Sequence, residues 1–554
     1  MSADLPLTLP AKPASRPDYL LWKSLGFVLA LLVSLPLLLI VAQWGALGSG
    51  EQDIWQHLLD TKLDRLAGNT LILLLGVGAG VTVLGVSLAW LCSMCEFPGR
   101  RLFEWALMLP LAIPGYVMAF VFLGTFNFAG PVQTALRAQF GNGVWFPDMQ
   151  GPGAVMLVLS LVLYPYVYML ARAAFLAQSR SQMDAARILG LRPFNAFLRV
   201  ALPGARPAIA AGVALALMET LADFGAVAVF NFDTFTTAIY GAWYGLFNLQ
   251  VAAQLASLLL LFVALAMTLE QYGRRNARHV QEGRARVAGY ALTGVRAAAA
   301  SLLCVAVLGL AFVLPLVQLL LWTLGTVTRE GIDPRFAEFL ARSLALGAGA
   351  ACVTVALALV LAMVRRLPGT AWTQRWQSLA LRVATLGYAL PGSVLAVGIM
   401  LLFTGIDRQL AARLGLQPML VGGMVALVLA YVVRFLAVAH APIDAGLQGI
   451  KPSVIEAARS LGAAPARVLS AVYIPLLRPG LITAALLVFV DVMKEMPATL
   501  ILRPFGWDTL AVRIFQMTSE GQWERAALPG LILLLSGLIP VILLVKQSRR
   551  GASS

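Results

Sequence analysis

The chain of 554 residues is 60% hydrophobic and 12% charged, with a net charge of +15 and a mean hydropathy of +0.83. That is too little charge to cover a soluble globule and more chain than one domain usually needs, so the composition excludes a soluble protein and implies a polytopic membrane protein. In a soluble chain the basic excess would point to nucleic acid; here the Arg residues are scattered along loop margins, which fits membrane lipid and topology and implies no nucleic-acid partner.

In chain order, a polar lead of more than twenty residues precedes the apolar run from Phe27 to Val41. That position, with a second span behind it, identifies an uncleaved anchor rather than a signal peptide. Stretches long enough to cross ~30 Å of hydrocarbon at ~1.5 Å per residue fall near 24–44, 69–92, 103–128, 152–176, 204–230, 249–269, 291–323, 343–364, 378–404, 418–439, 478–502 and 527–545. Their apolar runs are continuous rather than alternating, which predicts an all-α bundle of about 12 transmembrane helices, not a barrel. Lys and Arg gather in the N-terminal lead, at Arg100 and Arg101, from Arg172 to Arg206, over 271–296, from Arg365 to Arg382, from Arg434 to Arg478, and at the C-terminus. The positive-inside rule then places both termini in the cytoplasm of a multi-pass protein.

One block occurs twice without a gap. Ala185, Ala186, Arg187, Leu189, Gly190, Pro193, Val200, Pro203, Arg206 and Pro207 each have an identical partner 272 residues on, and Asp184 is answered by Glu456. Two homologous halves are therefore joined in one polypeptide. Six spans separate the copies, an even number, so the halves enter the membrane with the same orientation as parallel repeats. The expected division is a first half over 1–270, a basic cytoplasmic linker over 271–290 and a second half over 291–554.

Each repeated loop, 178–203 and 441–475, reads as a helix, a glycine stop and a second helix. Ser181 to Leu189 and Pro452 to Leu461 suit short helices, Gly190 and Gly462 end them, and Pro193 and Pro465 restart the chain. The Ala pairs, Ala185–Ala186 and Ala457–Ala458, keep one surface thin enough for another backbone to approach. The bland alternative is an amphipathic connector lying on the membrane.

Ionisable residues at membrane depth are costly and normally face the bundle interior or a watery path. Glu219 and Asp223 lie four apart, and Asp491 and Glu495 repeat that spacing with Lys494 between them. Four carboxylates near a central axis would suit a hard cation in transit and form a translocation path. Alternatively they lock helices, with Lys494 paired to Asp491 or Glu495. A path should hold its cargo weakly, so no tight metal site is expected. Pro114–Gly115 and Pro391–Gly392 match across the halves and predict broken or kinked third spans.

Other chemistry is thin. Cys92 and Cys95 form a single C-x-x-C, Cys304 and Cys352 lie in spans, and His57, His279 and His440 sit in different segments. Buried or reduced thiols are the better reading. There is no Gly-Lys-Ser/Thr phosphate loop, so the chain is not expected to be an enzyme or to bind ATP, and no cofactor is expected on it. Outer loops bear Trp145, Phe146, Asp148, Trp243 and Trp507, a platform for a delivery protein or an interfacial aromatic belt.

The acid-Ala-Ala block, with Gly four residues after the second Ala and Pro thirteen further on, resembles the signature loop of bacterial binding-protein-dependent ABC importer permeases. Asp491-Val-Met-Lys-Glu-Met-Pro-Ala-Thr-Leu500, followed by Arg503-Pro504 and Trp507-Asp-Thr-Leu510, resembles the fused permeases of the ferric-iron type, with Met496 in place of the family's Leu. The first half answers with Glu219-Thr-Leu-Ala-Asp223-Phe-Gly225 and Asn231-Phe-Asp-Thr234. The resemblance covers nearly all of the chain from about residue 69. It implies that Asp184, Ala185, Ala186 and Gly190, with Glu456, Ala457, Ala458 and Gly462, dock two copies of an ATP-binding subunit that carries ATP and Mg. It further implies a periplasmic substrate-binding protein, a bacterial inner-membrane location and ferric iron as cargo. Thiamine, phosphonate or polyamine permeases remain alternatives, as does a proton-driven secondary transporter using the four carboxylates as a relay.

Overall fold

The structure, a computed structural model, describes residues 17–45, 55–177, 188, 193–277, 290–364, 371–415, 417, 420–463 and 465–553. Eleven of its helices are long and apolar enough to cross a membrane, and the shorter apolar helix Ala527–Leu543 makes the twelfth candidate. The expected all-α architecture is present, with one small addition: Cys95–Glu96 pairs in parallel with Tyr290–Ala291. That short ladder ties the chain entering the second half to the loop after the helix Asp64–Met94.

The duplication read from sequence returns as geometry. Helix Pro152–Ala177 is answered by Met424–Gln448, and Leu202–Ala222 by Ile474–Lys494. Even irregularities repeat, because the π-turns Phe197–Ala201 and Leu469–Tyr473 occupy equivalent positions. The cause is local. Pro203 and Pro475 sit just beyond these turns and lack the N–H that would continue the α pattern, so the ladder slips to the wider register. The helix beginning at Pro465 therefore runs through the π-turn into the last long span rather than stopping before it.

Several predicted spans are interrupted. The 103–128 stretch consists of the helix Arg100–Ala106, a 3-10 turn at Leu109–Ala112 and a fresh helix Gly115–Phe126. Its partner at 378–404 shows Ala371–Thr385, Leu386–Ala389 and Gly392–Leu414. The restarts at Gly115 and Gly392 follow from the Pro–Gly pairs. The stretches 204–230 and 478–502, expected to be continuous, instead break at Asp223 and Glu495, whose backbones are extended (φ −70°, ψ 128° and φ −71°, ψ 112°). Short helices Gly225–Val229 and Pro497–Leu502 follow.

The halves exchange their opening helices. Leu29 and Val33 of Pro17–Ala42 are buried among Leu346, Ala350, Leu395 and Ile399 of the second half. Reciprocally, Cys304, Ala311, Phe312 and Leu319 are buried with Phe120, Val158 and Tyr164 of the first. Lipid is as apolar as these side chains, so close packing and interhelical hydrogen bonds, not water exclusion, hold such contacts. Tyr164 and Tyr168, both fully buried, donate to the carbonyls of Leu107 and Glu104 at 2.9 Å, closing backbone groups left open by the broken third span.

The second repeated loop is well defined. Helix Pro452–Ser460 ends at Gly462, whose φ of +78° is natural only for glycine. The Ala463 N–H donates to the Ala458 carbonyl at 3.1 Å, the six-residue closure of a Schellman stop. Glu456, Ala457 and Gly462 are exposed, while Ala458 is half-buried against the second half's core. Asp184, Ala185, Ala186 and Gly190 lie outside the described residues, as does most of the 271–290 linker.

Candidate functional site: a cavity at the four helix breaks

The interruptions meet at one place. A cavity of about 210 Å³ is lined by Pro114, Gly115 and Tyr116 of the first half's restart, by Glu219 and Asp223, and by Arg434, Asp491, Lys494 and Glu495. All five residues expected on a translocation path therefore face a single space built from both halves. Arg434 and Tyr388 join them, although the positive-residue count places Arg434 among cytoplasmic loop charges. It lies instead within the span Met424–Gln448, with its side chain 12% exposed. A lone Arg inside an apolar run is the signal that could have found it.

The acids divide into two kinds. Asp223 and Glu495 sit at the breaks and cap the short helices beyond them. Asp223 Oδ2 accepts from the Ala226 and Val227 N–H groups at 3.0 and 3.1 Å, and Glu495 Oε1 accepts from the Ala498 N–H at 3.1 Å. Their carbonyls, freed from the helix ladder, accept from Thr236 Oγ1 at 2.8 Å and Thr499 Oγ1 at 2.6 Å. A carboxylate at a helix N-terminus satisfies otherwise orphaned donors and complements the helix dipole, which explains an acid at each break. Glu219 and Asp491, one turn earlier, do not cap and project into the cavity, where Tyr388 donates to Glu219 Oε1 at 3.2 Å.

The cations are asymmetric. Arg434 Nε pairs with Glu495 Oε2 at 3.2 Å, so Glu495 finds its ion partner on another helix rather than in the neighbouring Lys494. Lys494 Nζ instead donates across the halves to the Leu111 carbonyl at 3.3 Å, and Tyr116 donates back to the Lys494 carbonyl at 3.3 Å. The first-half equivalents of Arg434 and Lys494 are Val162 and Ala222, so both cations come from the second half. Gly392 leaves the room this requires: a Cβ there would run into the Glu495 carboxylate and the Arg434 guanidinium.

Elsewhere the candidate chemistry stays dispersed. Among the described residues, no three His, Cys, Asp or Glu side chains gather closely enough to hold a metal ion. Cys92, Cys95 and Cys304 are buried free thiols, whereas Cys352 is exposed on its span. Burial pushes the Cys95 thiol up to about 11, which keeps it protonated and unreactive near neutral pH. Trp145 stands exposed, and Trp243, within the helix Phe235–Tyr244, and Trp507 are half-buried against the second half's core.

Two blocks of the chain, residues 81–276 and 354–551, match the family described as the binding-protein-dependent transport system inner membrane component. Among curated proteins, the chain is 28% identical over 545 residues to the Fe(3+)-transport system permease protein FbpB 2 of Haemophilus influenzae, covering 96% of this chain and 99% of that one. It is 33% identical over 237 residues to PhnU of Salmonella typhimurium, a permease protein named for 2-aminoethylphosphonate transport, covering 41% of this chain and 80% of the relative. The sulfate transport system permease protein CysW of Escherichia coli is 29% identical over 208 residues, 36% of this chain and 67% of the relative. With its family unit present twice, each copy carrying the same broken span and acid-capped restart, the chain belongs to the binding-protein-dependent transport system inner membrane components as a permease with both halves fused.

Proposed function

We propose that this chain is the membrane-spanning subunit of an ABC importer that carries ferric iron across a bacterial inner membrane. The observation that carries the reading is the end-to-end similarity to a permease named for Fe(3+) transport, and the cavity supports it with hard carboxylate oxygens from both halves. Glu219 and Asp491 are the cargo-facing pair, because Asp223 and Glu495 are committed to capping. A few unconfined oxygens let a trivalent ion enter and leave, as a permeation path must.

Phosphonate is the competing cargo, since Arg434 and Lys494 line the same space and could meet an anion. Both, however, are engaged, Arg434 with Glu495 and Lys494 with the Leu111 carbonyl. Energy enters through the repeated loops: Asp184, Ala185, Ala186 and Gly190 would grip one ATP-binding subunit, and Glu456, Ala457, Ala458 and Gly462 a second. ATP and Mg belong to those subunits. The exposed, glycine-stopped helix Pro452–Ser460 supports this role. The halves 1–270 and 291–554, joined by the linker 271–290, would rock against each other with both termini in the cytoplasm, and a periplasmic binding protein would deliver iron from outside.

The test is uptake into proteoliposomes holding the permease, its ATP-binding subunits and an external binding protein. Radiolabelled ferric iron is expected to accumulate with internal ATP and not with a pH gradient alone. Accumulation of 2-aminoethylphosphonate instead, or transport driven by the gradient without nucleotide, would overturn the proposal.

A further inference from the structure

We infer that an apolar groove between the opening helix Pro17–Ala42 and the second half, on the reverse side of the helix that carries Arg434, holds an acyl chain of a membrane phospholipid. The groove has a volume of about 360 Å³, and Leu29, Val33, Val353, Leu357, Val428 and Val432 are among the residues lining it. Every lining side chain is apolar and every one lies in a candidate membrane span. The space would take about a dozen water molecules at ~30 Å³ each but offers them no hydrogen-bond partner. Val353 and Val425, exposed at 43% and 61%, stand on its rim among residues that face hydrocarbon. What surrounds the rim is lipid, so lipid chain is the occupant at hand.

The duplication shows what opens the groove. In the first half, Gly76, Gly80 and Gly85 let the helix Asp64–Met94 press against Pro152–Ala177, so closely that a Cβ at each would run into Met156, Ser160 and Val167. Their partners 272 residues on are Ala348, Cys352 and Leu357, and those of Met156 and Ser160 are Val428 and Val432. Small residues in membrane helices allow close backbone approach, and losing them holds helices apart. Leu357, Val428 and Val432 thus line a gap where the first half is closed.

The position gives the chain a consequence. Arg434 and Phe435 line the carboxylate cavity, whereas Val432, Val433 and Leu436 of the same helix line the groove. An acyl chain seated there packs behind the helix that holds the Arg434–Glu495 pair, and it bridges the opening helix of one half to the body of the other.

The experiment is photo-cross-linking of the full chain, in vesicles of phosphatidylethanolamine containing a fraction with a mid-chain diazirine, with adducts mapped by mass spectrometry. Leu71, Leu75 and Val83, exposed apolar residues of the first half, report ordinary boundary lipid. Adducts at Leu32, Val353 and Val425 are expected at several times the yield on those controls. In Val428→Trp, and independently in the milder Val353→Phe, groove adducts should fall severalfold while control adducts stay level. Equal yields in the unaltered chain would reduce the groove to boundary lipid and overturn the inference. So would adducts indifferent to both substitutions.

Discussion

Asp223 and Glu495 end a membrane helix and start another, and each needs an oxygen aimed at the new helix's free N–H groups. That requirement separates them from Glu219 and Asp491, which the same sequence spacing had grouped together. Glu219→Gln combined with Asp491→Asn is expected to lower iron uptake at least tenfold while leaving thermal stability within about 1 kcal/mol, since no cap is lost. Uptake and melting measured on the same preparation check this. Arg434→Met should behave oppositely: it strands Glu495, 6% exposed, as an unpaired buried charge, at a cost of about 3–5 kcal/mol. Thermal unfolding in detergent reads that loss, and Arg434→Met with Glu495→Gln should recover part of it. The acids were legible because charge stands out in an apolar run. Arg434 is equally visible, but a count of positive residues does not register depth and so places it in a loop.

At the scale of elements, the repeat of 272 residues exposed the paired loops, and the Pro–Gly pairs exposed the broken third spans. The break at Asp223 was not legible, whereas Pro497, two residues past Glu495, marks the second break. Leu-Ala-Asp-Phe-Gly contains no proline, and its hydropathy averages into the span around it; the Thr236 hydroxyl, thirteen residues on, takes up the Asp223 carbonyl that the extended backbone frees. Gly462 holds a conformation that a β-branched residue resists. Gly462→Val is therefore expected to cost roughly 1–2 kcal/mol locally and to abolish co-purification of the ATP-binding subunit, read by affinity pull-down. Retention of the subunit together with unaltered uptake would remove the coupling role from this loop.

For the whole molecule, the exchanged opening helices mean that neither half completes its own core. The helix Pro17–Ala42 closes the second half, and the segment Gly294–Glu330 closes the first. Halves produced as separate chains, cut within the linker, are expected to be degraded when expressed singly. When co-expressed they should be recovered together at near the level of the intact protein, as immunoblotting of membranes would register. This exchange was not legible in sequence, because spans of the same length and hydropathy give no sign of which neighbour they will meet. In the proposed cycle a separate ATPase works the carboxylate-lined path from the cytoplasmic side. The measurement that bears on it most directly is ATP hydrolysis by the reconstituted complex as ferric-loaded binding protein is titrated in. The account predicts stimulation that depends on iron and disappears when Gly190 and Gly462 are both replaced by Trp; hydrolysis indifferent to iron and to both glycines would contradict it.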